Sequence, residues 1–338
     1  GFFGPTRLTL LGASSVLGGT MGPDTLEFLG TAPQTFPAST FPGTVLVAND
    51  VTAPAGTGTI SADLRILPGG VFRMGTTGNT FNVGGSLSTA GTGTLQMIDN
   101  AASLAVTGDA TFGGASTDGL LTAGTLQIGG NFTQSAVVST TSFAPSGTHK
   151  TVFTNTVARA VSIGSPGLGA AGSHFQVLDV SGATGGITLD VNMQADSLIS
   201  TSAAAKISSP GVTLTVRRAQ VTGLAFNNTS LTLDEQGVFN AENLSNVSFA
   251  GFPDGGTTML TVVGPGSSLA ARPLVNVSNM NFQTLSIGAA NFYVDLTSSN
   301  GATFNLNLST SNQATANGGN GAQLYRVTPG TGVATVTW

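Results

Sequence analysis

The residues best able to do chemistry are few, and their spacing limits what they could do. Asp234 and Glu235 in LTLDEQG are the adjacent acidic pair. Glycoside hydrolysis needs two carboxylates about 5–9.5 Å apart. Neighbours in a strand point to opposite faces, so this pair reads as a solvated turn at a strand end. Asp63 and Asp109 occupy the same place in the matched stretches ISADL and VTGDA. Stacked, they could meet a cation or a sugar. Ser86 and Asn131 hold that place in the two other copies, which suits a polar corner that caps backbone N–H groups. His149 and Lys150 adjoin in GTHKTVF, and His174 lies in SHF. Nothing marks a third partner, so structural hydrogen bonds are the expectation. Two His and no Cys make a zinc site untenable. GTGTIS (56–61) and GSPGLGAAG (164–172) are not followed by a helix or by Lys-Ser/Thr, so neither cradles a phosphate. The expectation is therefore no catalytic residues, no metal site and no cofactor.

What must position these residues is unusual. Of 338 residues only 10 are Lys or Arg and 15 Asp or Glu, while 48 are Gly and 40% are hydrophobic. Disordered chains combine low hydrophobicity with high charge, so this chain can build a core. Its surface must be Ser, Thr, Asn and Gly. A net charge of −5 gives little mutual repulsion, which favours packing against copies of itself. The basic residues are scattered, with only Arg217–Arg218 adjacent, so no nucleic-acid partner is expected. LTLLGASSVLGG (8–19) is too short and too rich in Gly and Ser to span a bilayer. One Trp and two Tyr cannot furnish the two aromatic girdles of an outer-membrane barrel. The start GFFGP lacks Met and a leader pattern, which suggests an exported protein after signal removal or a piece of a longer one.

Internal repetition organises the chain. ISADL, VGGSL, VTGDA and IGGNF begin at 60, 83, 106 and 128, in steps of 23, 23 and 22. MQADSL (193–198) reads as a fifth, weaker copy. Short alternating segments such as TVLVAND, GVFRMG, TLQMIDN and GITLDVN are separated by Gly, Asn, Asp and Pro, the pattern of strands and turns. SAAAKI (202–207) is the best helical stretch, too short to nucleate alone. Strands at this period predict an all-β fold: a right-handed parallel β-helix, or β-solenoid, with about 23 residues per rung. Equivalent positions then stack about 4.8 Å apart, and the whole chain would make roughly 14–15 rungs over about 70 Å. Regular rungs are expected over 1–140, rungs with longer loops over 141–210, and an irregular β-solenoid over 211–338. A separate β-sandwich is the alternative for that last part.

GGNFTQ (129–134), SFAPSGTHKTVFTNT (142–156) and SHFQVLDVSGATGGITLDVNMQADSL (173–198) resemble the large β-strand-repeat proteins exported to bacterial surfaces. The order of motifs is similar across roughly 60–200, and VATVTW resembles the closing strand of such modules. The resemblance implies an adhesin, fibre or surface coat, outside the cell or on its surface, and is almost silent about activity.

Neither end carries a charged cap: the chain opens GFFGPTRLTLLG and closes VATVTW. Uncovered solenoid ends expose strand edges and favour head-to-tail stacking. The expected function is that of a non-enzymatic structural protein of the bacterial surface, self-assembling into a filament or coat by end-to-end stacking or strand addition. Thr6, Arg7, Leu8, Thr9, Leu10 and Leu11 would be the donated strand, and Val333, Thr335, Val336 and Trp338 are expected assembly residues at the other end. Other copies of the chain are the expected partner, with surface glycans second. A carbohydrate-binding adhesin or phage tailspike-like module is the alternative, which an exposed aromatic cluster would mark. A polysaccharide-degrading enzyme would show a cleft with two or more acids.

Overall fold

In the computed structural model, side chains are described for residues 7–12, 24–75, 78–169, 171–202, 204–209 and 211–216. Beyond these, only backbone strands up to Thr337 are described. Among the described residues the chain is all-β, a β-solenoid of about 9 turns with rungs of about 22 residues.

The first compact unit covers 1–155 and 161–177. Each full rung has three sides, and equivalent strands stack in parallel columns. One column holds β1 (Arg7–Leu10), β2 (Thr25–Phe28), β5 (Thr44–Val47), β8 (Leu64–Ile66), β11 (Leu87–Ala90), β14 (Ala110–Gly113) and β16 (Phe132–Gln134). It continues with Val161–Ile163 of β18 (Arg159–Ile163). A second column holds β4 (Thr40–Phe41), β7 (Thr57–Ile60), β10 (Thr80–Val83), β13 (Ser103–Val106), β15 (Thr125–Ile128) and β17 (Lys150–Phe153). The third is shorter: β3 (Gln34–Thr35), β6 (Asp50–Thr52), β9 (Val71–Arg73) and β12 (Thr94–Gln96). Past β12 it is reduced to a single bridge, Met97 to Leu121.

Alternation builds the core. Side chains of period two point inward on each strand, so Phe81, Leu104 and Leu126 stack on one another, and so do Val83, Val106 and Ile128. Phe28, Phe36, Phe72 and Phe81 form one interior aromatic group. Phe112, Phe132, Phe143, Phe153 and Phe175 form another, with centroid separations of 4.7–6.1 Å. Phe143 does not come from a strand. It is carried inward by an excursion, Ser135–Thr148, which occupies the third side of its rung. The excursion is held by buried polar groups. Ser142 Oγ donates to the Phe112 carbonyl at 2.9 Å, Gln134 Nε2 donates to Ser142 Oγ at 2.8 Å, and the Ala144 N–H donates to Thr117 Oγ1 at 2.8 Å.

The second unit, 156–160 and 178–338, has longer strands. After β19 (Phe175–Asp179) and β20 (Ile187–Leu189) come β21 (Met193–Ser208) and β22 (Thr213–Asn227). Next are β23 (Ser230–Leu233), β24 (Val238–Ser245), β25 (Ser248–Gly251), β26 (Thr257–Val263), β27 (Leu274–Ser278) and β28 (Asn281–Gly288). The chain finishes with β29 (Phe292–Thr297), β30 (Thr303–Thr310), β31 (Ala314–Gly319), β32 (Ala322–Val327) and β33 (Gly330–Thr337). Pairing from β20 to β30 is parallel. The last pairings, β29 with β32, β30 with β33 and β31 with β32, are antiparallel.

About 9 turns are described, and their rung length of about 22 residues lies close to the expected 23. One expectation changes. MQADSL is not a fifth corner: Met193–Leu198 lie inside β21. SAAAKI, too short for a helix, lies in the same strand.

Candidate functional site

Two places gather the polar residues singled out from sequence: the corner between β7/β10/β13/β15 and β8/β11/β14/β16, and the first rung.

The corner is built by the repeat. Register sets Ile60, Val83, Val106 and Ile128 over one another, and likewise Leu64, Leu87, Ala110 and Phe132. Between these columns the backbones come very close. A Cβ on Gly84 would lie 2.5 Å from the Ser61 carbonyl oxygen, one on Gly108 2.7 Å from that of Gly85, and one on Gly129 2.6 Å from that of Thr107. Glycine is therefore required at each step by contact with the rung beneath.

On this corner the four residues at one repeat position form a ladder. Ser86 N–H donates to Asp63 Oδ1 at 2.9 Å, Asp109 N–H to Ser86 Oγ at 3.2 Å, and Asn131 N–H to Asp109 Oδ1 at 2.7 Å. Asp63, Ser86 and Asp109 thus each cap the backbone of the rung above. Arg65 adds a bond to Asp63 Oδ2 at 2.8 Å. The Ser86 N–H, with help from Arg65, holds the Asp63 carboxyl below its ordinary value of 3.8, against a smaller opposing effect of burial. A carboxylate held this way stays ionised near neutral pH. Stability from Asp63 is present above the unfolded value of 3.8 and is lost as pH falls through the lowered folded value. Asp63→Ala is expected to cost about 1 kcal/mol at pH 7 and progressively less as pH falls below 3.8, measured by urea unfolding across that range.

His149 is fully buried, with Nδ1 on the Ala123 carbonyl at 2.9 Å. His174 is also buried, with Nδ1 on the Gly167 carbonyl at 3.0 Å. Lys150 is the first residue of β17 and is half-exposed, on the strand face opposite Thr151 and Phe153. Among the described residues no group of three His, Asp or Glu could hold a metal. Asp234 and Glu235 lie outside the described residues.

No protein family, curated protein or solved structure matches the chain.

At the first rung, Arg7–Leu10 form β1 as one parallel neighbour of β2, and Leu11 follows, exposed. The Arg7 guanidinium folds onto Glu27, with Nε to Oε2 at 3.0 Å, and Thr9 Oγ1 donates to the same oxygen at 3.0 Å. Gln34 is buried and donates to the carbonyls of Leu10 at 3.0 Å and Gly12 at 2.9 Å. The sequence reading missed Glu27 and Gln34. In TLEF the acid at an alternating outward position was the available signal; nothing marked Gln34. Of the other expected assembly residues, Val333, Thr335 and Val336 lie in β33, opposite Asn307, Asn305 and Phe304 of β30. Thr6 and Trp338 are outside the described residues. No helix among the described residues is long and apolar enough to cross a membrane.

Proposed function

We propose that the chain is a non-enzymatic structural protein of the bacterial surface or extracellular space, which joins copies of itself end to end into a filament or coat. One observation carries this reading. Among the described residues β1 has a strand partner on one side only, so the first rung presents an edge. The Leu10 carbonyl faces β2 and accepts the Leu29 N–H at 3.0 Å. Alternation then turns the N–H and C=O of Arg7 and Thr9 toward the open side. Such edges template pairing with another chain unless charge, proline or a covering element blunts them. Here the charge nearest the edge, Arg7, is occupied by Glu27. Contact between unlike ends of two copies is heterologous and grows into filaments when it does not close.

The described aromatics favour this reading over a glycan-binding one. All ten phenylalanines between 24 and 216 are buried, which leaves no stacking platform for sugar rings among the described side chains. Asp63 and Asp109, which share a repeat position, each accept a backbone N–H from the next rung.

Thr9→Pro removes an N–H from the open side and keeps the β1–β2 bonds. Wild-type protein at high concentration is expected to show fibres or sheets by negative-stain microscopy. Thr9→Pro should sediment as a monomer with unchanged circular dichroism, and Thr9→Val, which loses only the hydroxyl contact to Glu27, should still assemble. Monodisperse short rods of wild type at every concentration would sink the proposal. Glycan arrays and lyase assays test the two other readings.

A further inference from the structure

His149 stands where the Ser135–Thr148 excursion rejoins the solenoid. Its N–H donates to the Ser146 carbonyl at 3.2 Å across a turn whose Gly147 has φ +62. Ser146 and Thr148 in turn donate to the carbonyls of Leu121 and Thr122 at 2.8 and 2.9 Å. Beside it, Lys150 N–H donates to the Gly124 carbonyl at 2.9 Å. Its ring meets Phe143 edge-on at 6.3 Å. Phe143 in turn meets Phe112, Phe132 and Phe175. One imidazole thus joins the turn that closes the excursion to the aromatic group that the excursion completes.

The ring's hydrogen bonding is one-sided. Nδ1 bonds the Ala123 carbonyl, an acceptor, so it carries the proton. Nε2 is buried without a partner. That state is tolerable for a neutral ring. A second proton would put a charged N–H where no acceptor waits.

We propose that His149 is an acid-released latch: charging its imidazole frees the Ser146–His149 turn, and the excursion with Phe143 comes away from the interior.

The surroundings offer the charged ring no relief. Lys150 is beside it, on the strand's other face, and would oppose it. Asp99, in the corner beneath Gly124, holds the Ala101 N–H with Oδ1 at 2.8 Å. Asp118 sits in the turn that packs on the excursion, where Thr117 N–H donates to the Thr141 carbonyl. His174, before β19, has Nδ1 on the Gly167 carbonyl. Burial accordingly pushes the His149 pKa down from 6.5 to about 4, and the weaker pull of the Ala123 carbonyl does not restore it.

The sign follows from linkage. The folded state holds the neutral ring, and an opened state titrates near 6.5, so opening is favoured as pH falls from 6.5 toward 4 and levels off below. From pH 7.5 to 4.5 the open-to-closed ratio should rise roughly 70-fold. Asp63 acts only below 3.8 and leaves this window clear.

Hydrogen exchange reads the ratio directly, after correction for intrinsic rates. The amides of Ala144, Thr148 and Lys150 should lose protection across the window, while those of Phe81 and Leu104 do not. In His149→Gln, which keeps a donor for the Ala123 carbonyl but cannot titrate, the loss should vanish. A pH-independent ratio in wild type, or the same rise in His149→Gln, overturns the latch. If that variant does not fold, the His149 ring protons followed by NMR in wild type decide. A midpoint near 6.5 overturns the proposal, and one near 4 accompanied by loss of protection upholds it.

Discussion

Phe132→Ala should destabilise the first unit by about 3–5 kcal/mol, read as a shift in urea midpoint with an unchanged slope. The ring is fully buried and meets Phe112, Phe143 and Phe175 at centroid distances of 5.8, 4.8 and 5.0 Å. Its neighbours come from two other strands and from the excursion, so none can slide over to fill the space. Rungs above and below fix the strands at their spacing, and the cavity stays open. Phe132→Leu refills part of it and should recover about half of the loss. If Phe132→Ala unfolds at the wild-type midpoint, the excursion is not docked as described.

Gly129→Ala is the second large effect, expected at about 3 kcal/mol from a single added methyl. The new Cβ would stand 2.6 Å from the Thr107 carbonyl oxygen and 3.3 Å from its carbon. Both are backbone, so no side chain can rotate away. Gly129 N–H also donates to the Val106 carbonyl at 2.8 Å, and separating the rungs would break that bond. Gly119→Ala is a useful contrast: nothing lies within 4 Å of a Cβ there, but its φ of +70 carries a conformational penalty of about 1 kcal/mol. Thermal unfolding of the two variants separates steric contact from backbone preference.

Much of this was readable before any coordinates. ISADL, VGGSL, VTGDA and IGGNF stack in the register that their spacing implied, and Asp63 and Asp109 act on backbone as the intervening Ser86 suggested. GTGTIS proved to be strand β7, and Gly58 within it makes room for the Phe81 ring. The first rung was harder. Its strands repeat at 18 and 19 residues, Arg7 to Thr25 and Thr25 to Thr44, so a search tuned to 23 passes over it. Gln34 bonds carbonyls 24 and 22 positions back, a relation set by how the rung closes and not by local pattern.

The corner ladder makes the number of rungs matter by parity. Charged and neutral side chains alternate along it: Asp63, Ser86, Asp109, Asn131. Excising the 23 residues 84–106 would splice Val83 to Thr107 in perfect phase, yet set Asp109 directly on Asp63, two carboxylates contending for one step of about 4.8 Å. Taking out a second repeat as well, through Ile128, puts Asn131 there and restores the alternation. A protein built this way can lengthen or shorten most easily two turns at a time.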